Sequence, residues 1–384
     1  NFNVSMGTEA LDANTTASNN VAIGYKTLRA NITGQYNVAV GYEALLGNTT
    51  GNFNVSMGNQ TLRANTTGEK STTASYNIGL GNQTLFETTS GQYNFAAGYQ
   101  AMRENLTGQE NIAIGSNSLQ ANISGEANVA IGVQALKQNT SGNYNIAMGH
   151  QTLYDNTVGL YNIALGYQSL FNNTTASYNT SIGYKTLYTN TTGEFNIALG
   201  YQTLYSNTTG KQNVAVGFES LYSNTNGLQN VSVGYKNLRA NTTGSENVAV
   251  GYETLLSNTT GTVNVAVGNQ SLYHNISGAF NVAIGKQALF QNKTSNNIGI
   301  GYEALQENTT GRYNVAVGDR ALTTNTTGQY NVGLGYETLT SNTTGNYNVA
   351  VGFQALTNNT TAEYNVGIGF YALLNNTTGE NNVA

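Results

Sequence analysis

A single seventeen-residue motif, repeated from end to end, constrains this chain more than anything else in it. Residues 37–53, NVAVGYEALLGNTTGNF, stand for every copy. Counted from the Asn before the first apolar residue, copies start at Asn3, Asn20, Asn37, Asn54 and Asn77, then at constant spacing to Asn281, and again from Asn297 to a stub at Asn382. Only two intervals depart from the common length: Asn54 to Asn77 is longer, and Asn281 to Asn297 is shorter by a single residue. A unit this short cannot bury an apolar face alone, so its copies must stack. The expected fold is all-β: a parallel β-solenoid, a β-roll or β-helix of about 22 coils, running as one body over residues 1–384. At about 4.8 Å per coil such a stack is a rod on the order of 105 Å long.

Numbering a copy from 1 to 17 shows which positions the stacking restricts. Position 1 is Asn in all 23 copies, and position 5 is Gly in all 22 copies that reach it. Position 2 is Val or Ile except at Phe95 and Thr180, position 4 is aliphatic or Met, and position 3 never exceeds Ser in size. This alternation marks a short strand, with positions 2 and 4 expected to face the core. Position 3, on the other face, is too uniformly small for open solvent, so either another wall of the coil or a neighbouring chain packs on it. Position 9 is Leu in every copy except Met102, which adds it to the expected core, with position 13 partly inward. Positions 6–11 suit a second strand or a helical turn; stacking favours the strand. Asn-Thr-Thr-Gly at positions 12–15 is the return corner. The extra residues at 69–74, EKSTTA, and the residue lost near Lys293 both fall at that corner and spare the strand.

Composition excludes several function classes. A net charge of −5 with only 9% charged residues offers no basic patch for nucleic acid. No apolar run approaches the roughly 18 residues of a membrane-spanning helix. There is no Cys, which removes thiolate metal sites. The chain starts and stops within a copy, as a mature fragment or a window of a longer fibre would. The three Asp residues (Asp12, Asp155, Asp319) stand in distant copies, and the scattered Glu residues at position 7, such as Glu43, Glu219, Glu253, Glu303 and Glu337, read as a solvated face. His150 and His274 are seven copies apart, so they cannot share a metal. We expect no catalytic, cofactor or metal site, and therefore no enzyme.

The asparagines carry the other expectations. The position-1 set, Asn3, Asn20, Asn37, Asn54, Asn77, Asn94, Asn111 and onward, reads as a stacked amide ladder that satisfies buried polar groups. Position 12 has two readings. Asn14, Asn31, Asn48, Asn65, Asn105, Asn122, Asn139, Asn173, Asn190, Asn207, Asn241, Asn258, Asn275, Asn292, Asn308, Asn325, Asn342, Asn359 and Asn376 each head an Asn-x-Thr/Ser sequon, the acceptor of an N-linked glycan coat along one edge. Alternatively, the corner is a good turn with its own ladder; Val158 and Asn226 break the sequon without breaking the copy. Tyr and Phe at positions 6, 10 and 17 read as cross-coil stacks, or as an adhesive surface for sugars.

At Asn20-Val21-Ala22-Ile23-Gly24, and again at 128–132 and 281–285, the sequence resembles the head repeats of YadA-like trimeric autotransporter adhesins, and similar repeats in phage tail-fibre-like proteins. That resemblance implies a left-handed parallel β-roll, commonly a trimer, on a cell or virion surface. The Tyr-x-Ala-Leu-x-x-Asn-Thr-Thr-Gly half of the copy lies outside the resemblance. The sequence thus leads to an extracellular structural fibre or filament shaft whose partner is itself, through end-to-end joining or homo-oligomerisation. The alternative is an adhesin or receptor-binding fibre head that recognises surface carbohydrate.

Overall fold

The computed structural model describes residues 2–63 and 74–384. Asn65 and the insertion at 69–74, apart from Ala74, lie outside the described residues. Among the described residues the chain is all-β with no helix, a β-solenoid of 22 short parallel strands, one in each copy before the stub at Asn382.

The chain divides into two compact units, Asn1–Phe195 and Asn196–Ala384. In the first, strands run from Val4–Met6 to Thr180–Tyr184. Each pairs with the strand one copy away, as Val21 with Val38, Ala22 with Ala39 and Ile23 with Val40. In the second, they run from Ile197–Tyr201 to Val366–Ile368 in the same register, as Val248 with Val265 and Ala249 with Ala266. The unequal intervals do not shift this register: Val55 lies opposite Ile78 across the longer one, and Val282 opposite Ile298 across the shorter. Like residues therefore lie on like residues.

The strand faces the opposite way from the expectation. Position 3 is the buried one, with Ala22, Ala39, Ala96 and Ala249 fully enclosed, whereas positions 2 and 4 lie on the outer surface. Alternation divides a strand into two faces, but nothing in it labels one as inside. The label comes from the width of the coil. Position 3 meets position 8 of the same coil: Ser56 Oγ donates to the carbonyl of Thr61 at 2.9 Å, and Ser181 Oγ lies 2.6 Å from Thr186 Oγ1. Two facing walls this close leave room for Ala, Ser, Thr or Gly and, once, for the fully bonded Asn237, with the position-9 Leu filling the end. The core is thus positions 3, 8 and 9, bordered by the buried Asn of positions 1 and 12. Of the three positions expected fully inside, 2, 4 and 9, only 9 is. Position 13, expected partly inward, is half-buried at Thr49 and Thr140 and exposed at Ile32 and Ile276; Thr140 Oγ1 donates to the Thr157 carbonyl at 3.0 Å, one step of a threonine ladder.

Positions 6–11 form neither a helical turn nor, beyond position 6 in a few copies, a strand. They are consecutive turns in which positions 7 and 9 take left-handed φ, as Glu43 at 52° and Leu45 at 51°. Such angles cost roughly 1–2 kcal/mol per residue. Hydrogen bonds between coils offset the cost: the Glu43 amide donates to the Tyr25 carbonyl of the preceding coil at 2.9 Å, and the Leu28 amide to the Ala44 carbonyl of the following coil at 3.0 Å. At position 5 a second constraint applies. Gly41 has φ 132°, and a Cβ there would fall on the carbonyl oxygen of Gly58 in the next coil, so only glycine fits.

Candidate functional site

The best-defined arrangement of polar groups is a pair of buried amide ladders that meet at one carbonyl in each coil. At position 1, Asn20 Oδ1 accepts the backbone N–H of Asn37 at 2.9 Å, and Asn37 Oδ1 accepts that of Asn54 at 3.0 Å. Within its own coil Asn37 Nδ2 donates to the Gly51 carbonyl at 2.9 Å. At position 12, Asn48 Nδ2 donates to Asn31 Oδ1 at 2.9 Å and to the same Gly51 carbonyl at 3.1 Å. The position-15 carbonyl is therefore gripped from both sides. Each coil is closed between its first and fifteenth residues, and each closure is tied to the neighbouring coils. The position-1 residues Asn3, Asn20, Asn37, Asn54, Asn77, Asn94 and Asn111 all take part.

The same geometry governs the candidate glycan acceptors. Sixteen of them, from Asn31 and Asn48 to Asn342 and Asn359, are buried; Asn14 and Asn376, in terminal coils, are half-buried, and Asn65 is outside the described residues. The nitrogen that a transferase would modify is the one that holds the ladder, as in Asn258 Nδ2, which donates to Asn241 Oδ1 at 2.9 Å and to the Gly261 carbonyl at 3.1 Å. Of the two readings of position 12, the closed coil forms the ladder.

The short copy shows how much the ladders depend on the corner. It has lost its position-15 Gly, and the Thr294 carbonyl takes over, accepting Asn281 Nδ2 and Asn292 Nδ2, each at 2.8 Å. The position-1 ladder continues through Asn297, whose amide donates to Asn281 Oδ1 at 3.0 Å. The position-12 ladder does not: Asn275 Oδ1 is buried with no hydrogen-bond partner among the described residues.

The aromatic residues form three kinds of column. Tyr36, Phe53, Tyr76 and Tyr93 stack at position 17 with centroids 4.9–5.1 Å apart. Tyr201, Phe218, Tyr235 and Tyr252 do so at position 6, and Tyr154, Phe171 and Tyr188 at position 10. Planes within 13° of parallel turn ring faces towards each other and leave edges and hydroxyls to solvent. Residues such as Tyr184, Tyr201 and Tyr235 are exposed at about 40%, but as rims rather than as open stacking platforms.

The ionisable groups are dispersed. Glu43 is paired with Arg63 at 2.7 Å; burial opposes its charge, but hydrogen bonds from Gln60 and Arg63 outweigh that and hold its carboxyl below the usual range. Burial raises Asp155. His274 is lowered by burial and then by Lys293, while His150 stacks on Tyr167 at 5.3 Å. Glu219 bonds Arg239 at 2.6 Å, and Arg320 bridges Glu303 and Glu337 at 3.5 and 3.4 Å. Among the described residues no three His, Asp or Glu side chains cluster as metal ligands, and no helix is long and apolar enough to cross a membrane. An open groove of about 560 Å³ in the second unit, bordered by Lys236, Arg239, Glu253 and Leu256, holds charges of both signs. Sequence reasoning missed the buried position 8, although its small side chains carried the signal. There the one Asn, Asn237, is fully bonded, to the Val233 and Gly251 carbonyls at 2.7 and 3.0 Å and from the Thr254 amide at 2.9 Å.

No protein-family model matches the sequence, and no curated protein matches it.

Proposed function

We propose that the chain is a structural element, the shaft of an extracellular fibre or filament, in which the stacked coils serve to hold length and stiffness. The observation that carries this reading is the doubled ladder. Coil after coil commits its buried amides and its position-15 carbonyl to the coils above and below, and the same polar chemistry recurs along the chain apart from the breaks at Thr88 and Asn275. The resemblance at Asn20–Gly24 supports a cell or virion surface as its location. On this reading the shaft is bare, because the candidate acceptor nitrogens are engaged in the closed coil. Intact mass of the native protein tests that part: a mass above that of the polypeptide by whole glycans refutes it.

Electron microscopy of the purified chain tests the shaft itself. Deleting four whole copies, residues 213–280, should keep the register and shorten the particle by about 19 Å, at about 4.8 Å per coil. A deletion that collapses the particle, or leaves its length unchanged, refutes the reading. The adhesin alternative draws on the exposed tyrosine rims. It requires glycan-array binding that disappears when Tyr184, Tyr201 and Tyr235 are replaced by Ala.

A further inference from the structure

The composition leaves tyrosine as the residue through which one coil can be tied covalently to the next. The chain has no Cys and no Trp, so no disulfide joins coil to coil. Its four Met residues, Met6, Met57, Met102 and Met148, all lie in the first unit. In the second unit the phenol of Tyr is therefore the side chain that gives up an electron most readily. The position-17 column of this unit runs Tyr313, Tyr330, Tyr347, Tyr364, the longest uninterrupted run of tyrosine in any column of the sequence. Other columns are interrupted sooner, as by Phe53, Phe195 and Phe218.

Stacking does not by itself account for these four residues. Position 17 takes a left-handed φ, 56° at both Tyr330 and Tyr347, where Asn or Gly costs less than an aromatic residue. Asn does occupy it at Asn19, Asn296 and Asn381. Phe stacks there as well as Tyr, with the Tyr36 and Phe53 centroids 4.9 Å apart, so the ring explains the stack but not the hydroxyl. Among the described residues none of the four hydroxyls has a hydrogen-bond partner. What the four phenols share is proximity. Successive centroids lie 4.9, 5.0 and 5.1 Å apart, with planes within 10° of parallel. In such a stack each ring atom lies about one centroid spacing from its equivalent. The backbones are fixed: the amides of Tyr330, Tyr347 and Tyr364 donate to the carbonyls of Arg312, Gln329 and Asn346 at 3.1, 3.1 and 3.2 Å. The side chains are 44–51% exposed, which leaves the rings free to tilt. A swing of roughly 2 Å by each ring brings two ortho carbons into bonding contact, and exposed side chains move this far on the picosecond-to-nanosecond scale. Holding the two rings side by side makes their encounter intramolecular.

We propose that the column Tyr313–Tyr330–Tyr347–Tyr364 is a site of oxidative modification, at which neighbouring phenols couple to dityrosine and staple coil to coil. The oxidant is hydrogen peroxide acting through a peroxidase. Each of two phenols loses one electron and one proton from its O–H, and the peroxide takes up both electrons and both protons to become two waters. The two phenoxyl radicals join by a new Cε–Cε bond between the rings. The hydrogen on each joined carbon then leaves as a proton and returns to the phenoxyl oxygen, which restores both phenols. The inference goes beyond the shaft reading and is independent of it, because coupling within one chain succeeds or fails whether or not chains join into fibres.

Treating the full chain with horseradish peroxidase and hydrogen peroxide, at a dilution where chains seldom meet, tests this. The product should keep the mass of one chain, less two hydrogen atoms for each link, and should show dityrosine fluorescence. Cleavage after glutamate then separates the rings: residues 308–337 carry Tyr313 and Tyr330, 338–363 carry Tyr347, and 364–380 carry Tyr364. Fragment 338–363 should be found joined to 308–337 through Tyr330 and to 364–380 through Tyr364. Tyr330→Phe should lose the first junction and keep the second, and Tyr347→Phe should lose both. Phe stands at position 17 in other copies, so both variants keep the stack. Tyr302, whose column neighbours are Lys286 and Asp319, should stay unlinked. Linked chains should exchange the Tyr347 amide about tenfold or more slowly than unlinked ones, because the link restricts the opened coil. Absence of joined fragments from the folded chain overturns the proposal. So do links formed mainly between chains, links that run through Tyr302, Tyr336 or Tyr371 as readily as through the column, and a linked chain whose Tyr347 amide exchanges no more slowly.

Discussion

Replacing Asn258 by Asp changes one atom and tests the ladder at its centre. Asn258 is fully buried. Its Nδ2 donates to Asn241 Oδ1 at 2.9 Å and to the Gly261 carbonyl at 3.1 Å, and its Oδ1 accepts Asn275 Nδ2 at 3.0 Å. In the Asn258→Asp variant the acceptor bond survives and both donor bonds are lost. The Gly261 carbonyl keeps a donor, because Asn247 Nδ2 also reaches it at 2.9 Å. Asn241 Oδ1 loses its donor, at about 1–3 kcal/mol. A carboxylate facing two oxygens in a buried corner adds a desolvation cost of similar or greater size, for about 4 kcal/mol at pH 7. The folded state therefore prefers the neutral acid, whose O–H can donate to Asn241 Oδ1, and the pKa of the introduced carboxyl rises in the folded state above its unfolded value of about 3.9. A group with a raised folded pKa contributes its stability fully below the unfolded pKa and loses it as pH rises through the folded one. The deficit against wild type should thus be smallest at pH 3 and largest at pH 7.

Repeat arrays open locally, so amide exchange is the suitable assay. The Thr242 amide donates to the Thr259 carbonyl at 2.9 Å and the Thr259 amide to the Ile276 carbonyl at 2.9 Å, which places two reporters beside the substitution. Their exchange, corrected for intrinsic rates, should accelerate about a thousandfold at pH 7, at about 1.4 kcal/mol per tenfold change, and clearly less at pH 3. Unchanged protection at pH 7, or a deficit that grows on acidification, would refute the ladder as a source of stability.

Other substitutions separate the remaining forces. Gly251→Ala at position 5 adds a Cβ that meets the Gly268 carbonyl at a φ of 138° and should cost more than about 3 kcal/mol in denaturant unfolding. Gly244→Ala at position 15 should cost far less, because Ala17, Ala74, Ala176 and Ala362 occupy the equivalent place; equal costs would contradict this division. Leu255→Ala empties a fully buried position-9 site and should cost about 2–5 kcal/mol, whereas Leu256→Ala, its surface neighbour, should stay within about 1 kcal/mol. Inserting Gly between Thr294 and Ser295 restores a full-length copy and offers Asn275 Oδ1 a donor; slower exchange around Asn275 by about tenfold is expected, and faster exchange would show that the short copy is better packed as it stands.

Periodicity reached the architecture because it needs no knowledge of the interior. A constant period with Asn, Gly and Leu at fixed places leaves parallel stacking in register as the way to bury anything, and the strands pair Val on Val and Ala on Ala. The amide ladder of position 1 was legible for the same reason: an Asn that never changes in 23 copies is held by its own equivalents. Position 12 was legible only as an alternative, because Asn-Thr-Thr is both a sequon and a corner. What separates the two is whether Nδ2 points at water or at Gly51. That depends on the chain closing on itself at the position-15 carbonyl, which position 1 also grips.

The direction of the strand could not be read in the same way. Val-Ala-Val has its larger residues on one face, and hydrophobicity by itself sends those inward. The tertiary structure decides otherwise, because the left-handed turns at positions 7 and 9 bring the second wall so near the strand that only small side chains fit between them. Steric width is a property of the closed coil, not of any residue in it. So the repeat alone determined that copies stack, in parallel and in register. Only the folded coil decided that the aliphatic residues of the strand would lie on the outer surface.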